Sequence, residues 1–176
     1  MPLERLGPLV YQRYQPHLPP LDGGQEPQLH DVLIAGGGPV GLSTALGLAL
    51  RGVRSVIIEA DDSVCEGSRA CCISRRSLEI LDRLGVARAF LAKGLPWTTG
   101  RSYYRDREVL VFSMPHESTD KFPPMINLEQ YYIEQFLLDE IARVNAAAAD
   151  GKPLVEMRWA SKVTAFAQDT QGVRLT

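Results

Sequence analysis

The chain has few of the residues that build metal centres, disulfide frameworks or nucleic-acid surfaces: three histidines, three cysteines and no long run of lysine or arginine. His17, His30 and His116 are dispersed, which excludes the close ligand spacing of a histidine metal site. Cys65, Cys71 and Cys72 are odd in number and lack paired ligand spacing, and the adjacency of Cys71 and Cys72 is poor geometry for a structural bridge. Reduced cysteines in a cytoplasmic protein are the expectation. With 19 basic against 21 acidic side chains the formal charge is -2, so no nucleic-acid surface is expected. The longest apolar stretch, residues 41–50, is too short to span a bilayer and is closed by Arg51. The opening residues show no basic, apolar and cleavage-site succession. Neither a membrane partner nor a secretory leader is therefore expected, and no internal repeat is visible.

What is present suffices for one compact domain: 176 residues, 45% of them hydrophobic. Residues 1–28 hold Pro2, Pro8, Pro16, Pro19, Pro20 and Pro27 with Gly23 and Gly24, and read as a flexible arm. Residues 29–176 read as the folded part. Its first stretch, "DVLIAGGGPVGLSTALGLALRGVRSVIIEA", places an apolar strand at 31–35, a glycine turn, an Ala/Leu-rich helix at 43–50 and a second strand at 54–58. This is a βαβ unit, with parallel strands and a right-handed crossover expected.

Gly36, Gly38 and Gly41 fit G-x-G-x-x-G, and Glu59 follows at the end of the second strand. In that pattern the first glycine permits the tight turn, the second lets a pyrophosphate approach the backbone, and the third brings the helix close to the sheet. The helix N-terminus then directs unpaired N–H groups at phosphate. Pro39 is compatible with the first helical turn, where its missing N–H is not needed. Glu59 is placed to accept from ribose hydroxyls and to repel a 2′-phosphate, which favours FAD or NAD over NADP at this position. A nucleotide-free core of the same shape is the alternative.

Beyond Glu59, "DDSVCEGSRACCISRRSLEILDRLG" begins as a polar loop and becomes a helix near Ser74, with Ile73, Leu78, Ile80, Leu81 and Leu84 as its apolar face. Arg69 in that loop is either a phosphate or cofactor contact or a solvated arginine. A short helix at 86–93 precedes a hairpin at 101–112, the beginning of a β-rich layer. Trp97, Tyr103, Tyr104 and Phe112 either line an aromatic pocket or pack a small subdomain. The segment around His116 reads as a proline-bearing loop with no partner for the imidazole. A long helix spans 129–148 with Ile133, Phe136, Leu137, Ile141 and Val144 as its stripe, and Gln130 near its start either contacts a cofactor or caps the helix. Strands are expected at 154–158, 163–168 and 172–176.

Together "DVLIAGGGPVGLSTALGLALRGVRSVIIEA", "GSRACCISRRSLEILDRLGV" and "FPPMINLEQYYIEQFLLDEI" resemble the FAD-binding part of the flavin-dependent aromatic hydroxylases, the single-component FAD monooxygenases related to para-hydroxybenzoate and phenol hydroxylases. The resemblance covers residues 30–176. It implies an α/β fold: a Rossmann-like FAD-binding βαβ core with the beginning of a β-rich substrate layer. It also implies that Gly36, Gly38, Pro39, Val40 and Gly41 surround the FAD pyrophosphate and that Glu59, followed by Ala60, holds the adenosine ribose. Arg69 and Gln130 match the family's cofactor-contacting arginine and glutamine. The implied activity uses NADH or NADPH as transient reductant and O2 to hydroxylate a phenolic or related aromatic substrate. A dehydrogenase-type FAD or NAD oxidoreductase and an inactive nucleotide-binding fragment are the alternatives. The later Gly-Asp motif of that family has no counterpart here, so the chain is expected to be a truncated part of such an enzyme, completed by a missing C-terminal portion or by association with another copy.

Overall fold

A computed structural model describes residues 9–17, 19–67, 69 and 71–176. The element order begins β1 (Leu33–Ala35), α1 (Pro39–Ala49), β2 (Ser55–Ile58), β3 (Cys72–Ser74), α2 (Arg75–Arg83) and α3 (Ala87–Lys93). It continues with β4 (Leu95–Trp97), β5 (Thr99–Tyr104), β6 (Arg107–Ser113), β7 (Met125–Asn127), α4 (Gln130–Ala146), β8 (Val155–Arg158), β9 (Phe166–Gln168) and β10 (Val173–Leu175).

The nucleus is a parallel sheet of order β1-β2-β8, with Ala35 opposite Ile58 and Ile58 opposite Arg158. All three strands therefore end together, and the glycine turn and Glu59 lie at that common edge. β1 is shorter than expected at its start, although the Val32 carbonyl still accepts from Val56 N–H at 3.0 Å. Helix α1 begins at Pro39, four residues before the periodicity places it, because the small and turn-forming residues of 39–42 conceal their helical register. Its Leu42, Ala45, Leu46 and Ala49 are buried.

Helix α4 buries Ile133, Phe136, Leu137, Ile141 and Val144 as its pattern predicts. These side chains meet Ile57, Leu42, Leu46, Leu78 and Phe90 in one core. In α2 the apolar face is narrower than expected: Leu78 and Leu81 are buried, whereas Ile80 is 46% exposed. Ser74 caps this helix by accepting from Ser77 N–H at 3.3 Å.

A second sheet, antiparallel and of order β3-β7-β4, packs Ile73 and Ile126 into the same core. Its strands have only three residues each, too few to show an alternation, and β4 carries Pro96 at the sheet edge, where a missing N–H is tolerated. The hairpin expected at 101–112 is β5 and β6, spanning Thr99 to Ser113 with a bulge between Ser102 and Tyr103. β9 and β10 form a separate antiparallel pair.

Residues 9–17 and 19–28 carry anchoring contacts where a flexible arm is expected; residues 1–8 and 18 of that arm lie outside the described part. Leu9 packs on the core, and Glu26 forks onto Arg158, with Arg158 Nη1 and Nη2 donating to its two carboxylate oxygens at 2.6 and 2.8 Å. Proline content obscured this docking, because an extended segment anchored by side chains has no periodicity of its own.

Arg158 is buried, and its Nε also donates to Glu156 Oε1 at 2.7 Å. The Arg158 hydrogen bonds hold the Glu26 carboxyl down to about 2 against a reference of 4.5, with His30 adding a contact at 2.9 Å. A lowered folded-state value stabilises the fold above the unfolded value and is lost as pH falls from about 4.5 towards 2. In urea titrations Glu26→Gln is accordingly expected to be less stable than the unmodified chain at pH 6. The gap should narrow by pH 3, and an unchanging gap would rule out this pair as its source.

Candidate dinucleotide site

At the common edge of the parallel sheet, β1 passes through Gly36, Gly37 and Gly38 into α1. Gly36 has φ +103°, a conformation that side chains rarely adopt, and its N–H donates to Ile58 O at 2.8 Å, tying the turn to β2. At Gly41 the restriction comes from proximity: a Cβ would sit 2.0 Å from Gly36 O and 3.3 Å from Ile34 Cγ2. The helix is thus seated directly against the turn.

Gly38 is different. It is the N-cap of α1 at φ -74°, and a Cβ there would meet nothing nearer than Glu134 Oε1 at 3.9 Å. The protein's own packing does not require glycine at this position, and the missing side chain leaves room over the backbone for a ligand. The helix start has Pro39 in its first turn, no side-chain cap and no acid within that turn, so no residue of the helix itself caps its N–H groups. Val40 is 81% exposed beside it. This cradle fits a pyrophosphate.

Glu59 immediately follows β2. Its Oε2 accepts from Gly37 N–H and its Oε1 from Asp61 N–H at 2.9 Å, so the carboxylate joins the turn to the next loop. Each oxygen retains acceptor capacity for a hydroxyl. Ala60 beside it is exposed. Arg69 is exposed on the same loop and lines a cleft of about 250 Å³ with Ser63, Glu66 and Arg13.

Gln130 opens α4 and donates through Nε2 to Glu134 Oε1 at 2.8 Å. Glu134 is only 3% exposed, and its Oε2 accepts from Cys65 N–H at 2.7 Å. This buried carboxylate therefore lies under Gly38, holds Gln130 and pins the loop after Glu59. The sequence reading missed it, since Glu134 falls beside the Ile133 and Leu137 stripe; the four-residue spacing from Gln130 was the available signal. Burial, with Glu134 second, pushes the Cys65 thiol up to about 11, so it remains a neutral thiol at pH 7. All three cysteines are free.

The remaining candidates lie away from this edge. His116 has partners after all: its Nδ1 lies 3.5 Å from Asp120 Oδ2 and 3.4 Å from Arg75 Nη2. Trp97 donates to Asn127 Oδ1 at 2.8 Å and meets Phe112 edge-on, while Tyr103 and Tyr104 are exposed. Among the described residues there is no cluster suited to a metal ion and no helix long and apolar enough to cross a membrane.

A parallel βαβ sheet edge with a glycine cradle, an open helix N-terminus and a carboxylate on the second strand defines a dinucleotide-binding domain. The FAD binding domain family matches residues 30–176, and the chain belongs to that family. It is 32% identical over 139 residues to 6-methylpretetramide 4-monooxygenase of Streptomyces rimosus, covering 78% of this chain and 24% of that protein. Against para-nitrophenol 4-monooxygenase of Pseudomonas sp. strain WBC-3 it is 27% identical over 144 residues, covering 80% of this chain and 34% of that one. The chain thus spans about a quarter to a third of these curated relatives. Among solved structures, p-nitrophenol 4-monooxygenase PnpA of Pseudomonas putida superposes with a TM-score of 0.68 at 23% identity, over 84% of this chain and 38% of that one. OxyS anhydrotetracycline hydroxylase of Streptomyces rimosus superposes with a TM-score of 0.65 at 27% identity, over 83% of this chain and 27% of that one.

Gly38→Ser separates the cradle from the fold. A serine N-cap suits both the backbone angle and the helix, so stability is expected to hold or rise by a few tenths of a kcal/mol in chemical denaturation. FAD affinity is expected to fall about 10- to 100-fold, because serine fills the space and takes N–H groups that a charged phosphate would use. Unchanged FAD affinity in a fluorescence titration would remove the pyrophosphate from this turn.

Proposed function

We propose that this chain is the FAD-binding part of a monooxygenase that hydroxylates a phenolic or related aromatic substrate, using NADH or NADPH and O2. The observation that carries this reading is the cradle at Gly38, open for a ligand although the protein's own packing does not demand it. Membership of the FAD binding domain family identifies the ligand as FAD. Relatives that share the stretch bear the names of monooxygenases and hydroxylases of ring compounds, which supports the reaction class.

In this reading Gly36, Gly38, Pro39, Val40 and Gly41 receive the pyrophosphate through backbone and helix dipole, which suits a charged group that makes no chemical change during turnover. Glu59 and Ala60 border the adenosine ribose, and the remaining acceptor capacity of the carboxylate takes the hydroxyls. Arg69 offers a cation on the neighbouring loop to phosphate or to the reductant. Gln130 is steadied by Glu134, leaving its carbonyl oxygen to accept from the cofactor. When bound, FAD supplies the transfer of reducing equivalents to O2 and of one oxygen atom to the ring; the protein supplies orientation and exclusion of water. A cytoplasmic setting agrees with the three free thiols.

Glu59→Lys is expected to weaken FAD binding by about 10- to 100-fold, because it deletes acceptors for the ribose and strands the Gly37 and Asp61 amides. A titration showing wild-type affinity would displace the ribose from Glu59. For the reaction class, oxidation of NAD(P)H should be accelerated by a phenolic compound and should place oxygen from O2 in the ring. Substrate oxidation that proceeds equally without O2 would instead establish a dehydrogenase.

A further inference from the structure

Residues 9–26 lie outside the family match at 30–176, yet they are fastened to the loop that follows Glu59 and to the end of β8. Arg13 donates from Nη1 to Asp62 Oδ1 at 2.6 Å and from Nη2 to Glu66 Oε1. Tyr14 N–H donates to Asp62 O at 2.8 Å, and its ring stacks on Trp159 with centroids 4.5 Å apart and an interplanar angle of 6°. Tyr11 meets Tyr131, the neighbour of Gln130, at 5.8 Å. Glu26 closes the segment on buried Arg158.

The loop that Arg13 and Tyr14 hold is the one the site uses. From within the domain, Asp61 N–H is taken by Glu59, Cys65 N–H by Glu134, and Asp61 O by Ala160 N–H at 2.9 Å. Arg13 and Arg69 line the same cleft, together with Ser63, whose buried hydroxyl has no hydrogen-bond partner among the described residues. No regular secondary structure spans residues 61–67, so packing and these few bonds fix their shape.

We propose that the segment carrying Tyr11, Arg13, Tyr14 and Glu26 is a strap that sets this loop in advance for FAD, with Arg13 and Tyr14 as positioning residues that act through Asp62 and Glu66 without touching the cofactor. The proposal rests on the FAD site described above. A loop left free would have to be ordered by the cofactor, and that ordering would be subtracted from its affinity. Ordered by the strap, the loop keeps the Asp61 amide on Glu59 and the Cys65 amide on Glu134 before the cofactor arrives.

The exposed ion pairs alone are weak and the aromatic stack adds moderately, so Arg13→Ala should weaken FAD binding about two- to fivefold and Arg13→Ala with Tyr14→Ala about tenfold. The experiment is FAD titration by flavin fluorescence on the full chain, paired with amide hydrogen exchange. In the double variant, exchange should quicken over residues 61–66 while the core of α4 stays protected. Arg13→Asp sets a third carboxylate beside Asp62 and Glu66 and should weaken binding at least as much as Arg13→Ala, and adding Asp62→Arg, whose guanidinium can pair with both the introduced carboxylate and Glu66, should restore part of the affinity. Wild-type affinity and exchange in the double variant would overturn the strap, as would a loss of protection throughout the domain with no rescue by the charge swap. Gly38→Ser keeps the two ideas apart: if it binds FAD as the unmodified chain does, the cradle is wrong whatever the strap variants show. If the unmodified chain binds no FAD, both are overturned.

Discussion

The approach of Gly41 to the carbonyl of Gly36 is the constraint on which the rest depends. A side chain at that position would lie 2.0 Å from backbone oxygen, so only a hydrogen lets α1 start where it does. From this seating the helix runs back over the parallel sheet and buries Leu42, Ala45, Leu46 and Ala49. The same seating aims the open N-terminus along the sheet edge where β1, β2 and β8 all end. Packing and binding geometry are therefore two outcomes of one contact, and neither can be altered at Gly41 without the other.

Around that contact, segments distant in sequence are held together by two buried charged residues. Glu134 collects Gln130 and the amide of Cys65 beneath the turn, and Arg158 collects Glu156 and Glu26 at the end of β8. Buried charge is expensive unless its polar atoms are matched, and here each group is matched by one partner on its own element, Gln130 or Glu156, and one from a distant segment, Cys65 N–H or Glu26. The expense is offset in specificity of arrangement: an apolar residue at either position would fill space but would not dictate which loop amide or which arm carboxylate lies against it. A site made from turns and loops needs that dictation more than a core does, because loops have few packing contacts to define them.

The sheet core, the helical order and the glycine cradle were legible in the sequence because each leaves a local signature. Aliphatic runs mark β1 and β2, the apolar stripe marks α4, and Gly36, Gly38 and Gly41 stand at fixed offsets from them. The rest was not legible for a shared reason. The short strands β3, β4 and β7 exist only by pairing with one another. The docking of residues 9–26 rests on single side chains meeting partners up to 132 positions away, and Glu134 becomes a site residue only when the loop of Cys65 arrives against it. Ile80 shows the converse error, an apolar residue in helical phase that found no neighbour to cover it.

The placement of these residues also explains why proteins named for very different substrates share this stretch. In the function proposed above, Gly36, Gly38 and Gly41 address phosphate through backbone and Glu59 takes a ribose, both far from chemistry on a ring. Contacts of that kind would address the part of a flavin dinucleotide that does not change from one reaction to another. Under the same proposal, choice of substrate falls to surfaces other than this cradle. The β5-β6 hairpin fits that division: Tyr103, Tyr104, Val109 and Leu110 are all more than half exposed, although they alternate poorly between two faces and build no core of their own. The glycine turn and Glu59 lie at one sheet edge, and the exposed apolar side chains of β5 and β6 lie on a separate hairpin. Changes on the hairpin can accumulate without touching the cradle.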